Sequence, residues 1–123
     1  GYAVRTSGGV RGQGRLISVA SPYSIIVNEK AQSHAEFTIM CLQTGDNVTT
    51  IGSQTSGADG NASLIEMAGG EKTMITGIGI FYPDKTETQR KGIKIDLIVK
   101  PTIKGIIEGK DEVLEKAIEL VRK

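Results

Sequence analysis

The sequence predicts an α/β fold, and three observations carry that prediction. A β-rich run, an apolar helical run and a second β-rich run follow one another between Tyr23 and Gly52. Two more β-rich runs flank Ala68-Gly69-Gly70, as the strands of a hairpin would. The closing residues place apolar groups at helical spacing among charged ones.

Each element follows in order. Residues 1–22 lack a clean period: Arg5, Arg11 and Arg15 are scattered among glycine and serine. This stretch reads as an extended arm, with a short strand near Leu16–Val19. Ser24–Asn28 carries Ile25, Ile26 and Val27, β-branched groups that favour a short buried strand. A loop at Glu29–Gln32 leads to a helix from Ser33 to Gln43. Ala35, Phe37, Ile39, Met40, Cys41 and Leu42 leave that helix few polar faces, so it should be central and buried. Val48–Gly52 is the next strand. Strand, helix and strand in this order form a βαβ unit, whose two strands run parallel.

Ser53–Asn61 is a polar, glycine-rich loop. Ser63–Met67 and Thr73–Tyr82 pair as a hairpin, and Pro83-Asp84-Lys85-Thr86 turns the chain. Ile93, Ile95, Leu97 and Val99 alternate, which predicts a half-buried strand ended by Pro101. Thr102 caps a helical turn at Ile103–Ile107. Asp111–Lys123 is an amphipathic helix with Val113, Leu114, Ala117, Ile118 and Val121 on one face. Its acidic start and basic end suit the helix dipole. Residues 23–123 therefore form one structural unit.

Composition narrows the function. A chain of 123 residues suits one compact domain or a piece of a larger one. Fifteen basic against fourteen acidic residues give a net charge of +1, which leaves no field to gather nucleic acid. Aromatics make up 4%, too few for a base-stacking platform. No run approaches the roughly 20 apolar residues that span a bilayer. Cys41 is the sole cysteine, so no internal disulfide forms, and its apolar neighbours suggest a buried small hydrophobe. One cysteine and one histidine cannot close a structural zinc site. No metal or cofactor is implied.

The chemistry concentrates at Gln32-Ser33-His34-Ala35-Glu36, where a strand hands over to a helix. Ser33-x-x-Glu36 has the spacing of a capping box, in which the hydroxyl and the carboxyl each satisfy a free helix amide. The same position suits a nucleophile, because free N–H groups at a helix start can hold an oxyanion. The His34 side chain points about 100° away around the helix, so it is poorly placed to take the Ser33 proton. On these residues alone both readings stand.

Four segments in register carry a family resemblance: Val27-Asn28-Glu29-Lys30-Ala31-Gln32-Ser33-His34-Ala35-Glu36-Phe37; Val48-Thr49-Thr50-Ile51-Gly52-Ser53-Gln54-Thr55-Ser56-Gly57; Tyr82-Pro83-Asp84; and Gln89-Arg90-Lys91-Gly92-Ile93-Lys94-Ile95-Asp96. Over about residues 25–98 the chain resembles the catalytic core of the C-terminal processing (tail-specific) peptidases and their tricorn-core relatives. The resemblance implies a crotonase-like (ClpP/crotonase) ββα layered core, a mixed sheet around a central buried helix, with residues 23–123 as its C-terminal part. It places Ser33 on the nucleophile and the backbone amide of His34 in the oxyanion hole. It also implies a polypeptide substrate and a periplasmic or cell-envelope location.

The departures are specific. The processing peptidases use a Ser–Lys dyad whose lysine follows the glycine of Thr55-Ser56-Gly57, and here that residue is Ala58. The tricorn-like branch uses an upstream histidine oriented by an acidic group. That acidic position falls on Gln89, with Glu87 two residues earlier on the same strand face. No counterpart of the histidine segment or of a second oxyanion donor precedes Tyr23. Three functions follow: a serine endopeptidase core whose base comes from outside this segment, a catalytically inactive peptidase-like binding or scaffold domain, or a βαβ domain in which Ser33 only caps. The exposed faces of a half-core call for another chain, a missing upstream segment or a homo-oligomer.

Overall fold

The structure is a computed structural model that describes residues 4–6 and 22–122. In chain order the elements are β1 (Val4–Thr6), β2 (Tyr23–Val27), α1 (His34–Leu42), β3 (Val48–Gly52), β4 (Asn61–Glu66), β5 (Lys72–Phe81), β6 (Leu97–Ile98), α2 (Ile103–Glu108) and α3 (Glu112–Val121). The predicted strand at Leu16–Val19 and most of the arm lie outside the described residues.

The described strands form two three-stranded sheets, where the sequence suggested one mixed sheet. One is antiparallel in the order β1-β5-β4, and the other is parallel in the order β2-β3-β6. The βαβ expectation holds: β2 and β3 run parallel with Ile26 opposite Ile51. Ile51 in turn lies opposite Leu97, so these three residues share one face of the parallel sheet.

The two faces of that sheet are covered differently. On one, α1 lays Ile39 and Met40 against Val27, and this cluster takes in Ile80 and Tyr82 from the end of β5 and Ile93. It is the seam that joins the two sheets. On the other, Val113 and Ala117 of α3 cover Ile51, with Leu97, Val99 and Leu120 around them. Thr102 caps as the sequence suggested, its Oγ1 accepting the Gly105 amide, and Asp111, read as part of the acidic helix start, is itself a cap whose Oδ1 accepts the Leu114 amide, each at 2.9 Å.

Three expectations need correction. Ile93–Val99 is not one strand, because only Leu97–Ile98 pairs as such. The backbone before it is taken by side chains instead: the Ile93 amide donates to Thr55 Oγ1, and the Lys94 amide donates to the Tyr82 hydroxyl. Second, α1 is not buried on most sides. Glu36, Ile39 and Met40 are buried, while Ala35, Thr38 and Cys41 face outward. Cys41 is therefore an exposed thiol and not a buried hydrophobe. Third, Glu87 and Gln89 do not share a strand face. Glu87 makes an isolated antiparallel bridge with Phe81, and Gln89 already belongs to the next turn.

The β4–β5 hairpin lies within two residues of its expected bounds and projects from the core. Leu64, Met67, Met74 and Ile75 are all more than half exposed.

Candidate active site

Ser33 sits at the N-cap of α1 with φ 52° and ψ −121°. A non-glycine residue rarely occupies this region, and holding it there costs on the order of 1–3 kcal/mol. The chain enters from β2 and must reverse into a helix within a few residues, and Ser33 takes the sharpest bend. Ala35 N–H donates to the Gln32 carbonyl and Phe37 N–H to the Ser33 carbonyl, which starts the helix.

Both sides of a capping box are in place between Ser33 and Glu36. The Glu36 carboxyl accepts the Ser33 amide at 3.2 Å. The Ser33 hydroxyl faces the Glu36 amide, as the other side of the box requires, without closing a full capping hydrogen bond. His34 follows at the first helical position with an exposed side chain. A residue there has no intrahelical partner for its amide.

Glu36 is fully buried and organises the surroundings. Its Oε1 accepts the Thr55 hydroxyl at 2.5 Å and the Gly57 amide at 2.9 Å. Its Oε2 accepts the Ala58 amide at 2.9 Å as well as that of Ser33. Ser33 and Ala58 thus meet on a single oxygen atom. Sequence reasoning treated Glu36 only as a cap partner. The signal for its wider role was Thr55 and Gly57, in the loop it grips.

The loop at Gln54–Ala58 is held from its far side as well. The Arg90 amide donates to the Gly57 carbonyl at 2.6 Å, and Gln54 Nε2 donates to the Ile93 carbonyl at 2.9 Å. Gly57 has φ 67°, and a Cβ there would meet the Arg90–Gly92 backbone at 2.9 Å, so the two segments run in backbone contact. Ser56 closes the other flank, with both its amide and its hydroxyl on the Ala31 carbonyl at 3.0 Å.

Gln89 is half-buried, with its side-chain amide against Gly60. Among the described residues no hydrogen bond joins it to Ser33. It reaches the site through backbone, by way of Arg90 and Gly57. Glu87 stands farther off at the end of β5. Outside this cluster, Asp84 pairs with Lys94 at 2.7 Å, and that lysine, then Thr86, hold its carboxyl well below the usual carboxylate range. Its own backbone amide, then the Ser53 hydroxyl, lower Glu29. Among the described residues, no group of three or more His, Cys, Asp or Glu stands together as metal ligands, and no helix is long and apolar enough to cross a membrane.

Solved structures share this fold. A candidate peptidase from Parabacteroides merdae superposes with a TM-score of 0.72 at 25% identity, over 81% of this chain and 31% of its own. Mature CPAF complexed with lactacystin gives 0.65 at 21% identity, over 82% of this chain and 21% of its own. The photosystem II D1 C-terminal processing protease gives 0.61 at 18% identity, over 92% and 28%. The chain thus spans less than a third of each of these proteins. Comparison with curated proteins finds no match. The model of peptidase family S41 matches residues 4–99, from β1 through β6 and across every segment that meets around Glu36, and the chain belongs to that family.

Proposed function

We propose that residues 23–123 are the C-terminal part of a serine endopeptidase core with crotonase-like layering, and that Ser33 is its nucleophile. One observation carries this reading: Ser33 is held in a strained bend at a helix start, and its hydroxyl faces the helix without closing a cap hydrogen bond. A serine that served only the helix would close that hydrogen bond and would not need the strained backbone.

In this reading Ser33 Oγ attacks a peptide carbonyl and a general base takes its proton. The tetrahedral oxyanion forms beside the His34 amide, a donor fixed by the helix before the reaction begins. Collapse expels the amine and leaves an acyl-serine, which water then hydrolyses.

The base comes from outside this segment. Ala58 stands where the dyad lysine would be, and a methyl group cannot accept a proton. Its amide donates to Glu36 Oε2 alongside that of Ser33, which supports reading Ala58 at that position. That favours the tricorn-like branch, with an upstream histidine as base and Gln89 or Glu87 as its orienter. A polypeptide substrate, a cell-envelope location and a covering chain or second copy belong to the same proposal.

The test is Ser33→Ala in the full-length protein. Peptide cleavage and labelling of Ser33 by a fluorophosphonate probe should both vanish. A wild-type protein whose Ser33 resists the probe would be a peptidase-like scaffold instead.

A further inference from the structure

The geometry points to Glu36 as the positioning residue of this site, a single buried carboxyl that sets Ser33 and the Gln54–Ala58 loop in mutual register. The inference rests on the peptidase reading for its catalytic consequence, but not for its geometry. Glu36 has no exposed surface, and all four of its partners donate to it: the amides of Ser33, Gly57 and Ala58 and the hydroxyl of Thr55.

Two features make this more than a capping interaction. First, the contact to Ser33 is to the backbone amide at the strained residue itself, so it holds the bend without using Oγ. Second, the grip passes onward. Thr55 donates to Glu36 and accepts the Ile93 amide at 3.0 Å, while the Gly57 carbonyl takes the Arg90 amide. The nucleophile bend, the loop after β3 and the turn bearing Gln89 are thereby referred to one pair of oxygen atoms. A buried acceptor facing several donors is rigid, because each donor would lose its only partner on moving.

Glutamine is the same shape but presents an NH₂ where one carboxyl oxygen accepted, so two donors on that side would face another donor. A displacement near 1 Å at a nucleophile can lower turnover on the order of a hundredfold.

The experiment compares wild type, Glu36→Gln, Thr55→Val and Thr55→Ser in the full-length protein, reading two quantities. Amide hydrogen exchange is followed in peptides spanning Ser33 and Gly57-Ala58, with the β3 core around Ile51 as reference. Fluorophosphonate labelling of Ser33 is followed as a rate at saturating probe. Glu36→Gln should raise exchange about tenfold or more at both sites but not at Ile51, and should slow labelling on the order of a hundredfold. Thr55→Val keeps the carboxyl and should shift both readouts the same way by less, and Thr55→Ser should recover most of that loss. The Thr55 pair carries the test if Glu36→Gln fails to fold. Unchanged exchange at Ser33 in Glu36→Gln and Thr55→Val overturns the clamp. Raised exchange with an unchanged labelling rate overturns the positioning role. If wild type itself is never labelled while exchange responds, the clamp stands and the peptidase reading falls.

Discussion

Asp96 and Thr50 hold each other twice: the Thr50 amide donates to Asp96 Oδ2 at 2.7 Å, and the Asp96 amide donates to the Thr50 carbonyl at 2.9 Å. Thr50 is fully buried in β3, so its amide has no access to water. Asp96→Ala should destabilise the protein by about 1–3 kcal/mol, the cost of an unmet buried donor. Asp96→Asn retains an acceptor and should lose clearly less. Urea unfolding of both variants checks the difference, and equal losses would refute this account.

Ser33 offers a sharper contrast. If its hydroxyl capped the helix, Ser33→Ala would lower stability by about 1 kcal/mol. The structure predicts a smaller change, within a few tenths, because the hydroxyl faces the helix without closing a cap hydrogen bond. Ser33→Gly should raise stability by about 1 kcal/mol or more, since glycine occupies this backbone region without strain. Thermal unfolding reads both, alongside the loss of probe labelling.

Gly92 tests the contact between the two loops. It has φ 80°, and a Cβ there would lie 2.9 Å from the Thr55 carbonyl oxygen and closer still to the Gln54 side chain. Gly92→Ala should destabilise by about 1–3 kcal/mol and slow Ser33 labelling through the displaced Thr55. A folded variant that labels at the wild-type rate would disconnect this turn from the site.

Tyr82 sets an alkaline limit. Burial raises its phenol above the ordinary value of 10.0, against a smaller lowering by the Lys94 amide that donates to it. The folded state therefore keeps a proton that the unfolded chain releases. That stability is fully present below pH about 10 and is lost as pH rises through the folded value. Tyr82→Phe should flatten this alkaline slope in urea midpoints, while losing stability at neutral pH through the Gln43 and Lys94 contacts.

Cys41 should react, but slowly. It is exposed, and desolvation, then nearby Asp59, push its thiol above the ordinary 9.0. Iodoacetamide should modify it completely in the native state, at a lower rate near neutral pH than the same thiol in urea.

Much of this was legible in the sequence. The β2–α1–β3 unit shows in runs of β-branched and helical residues, because burial on a single pattern leaves a local trace. The Thr102 cap shows too, because a cap is a side chain acting on backbone three residues away. What escaped was set by side chains acting on distant backbone. Ile93, Ile95 and Leu97 alternate like a strand, yet Thr55 and Tyr82 take the amides a strand would pair. Cys41 sits in an apolar run whose outer face stays uncovered in this chain. At the site, Ser33-x-x-Glu36 gave both residues but not the bend that separates their roles. That bend depends on donors about twenty positions later, which no local window contains.

The four donors on Glu36 come from two stretches of chain, and a third is held through Thr55. The Ser33 bend is therefore not a portable motif. Grafted into another scaffold as the seven or so residues around it, it would relax into an ordinary capped helix. The smallest unit that can be transplanted, or inherited intact through recombination, is a discontinuous one reaching from Ser33 to Ile93.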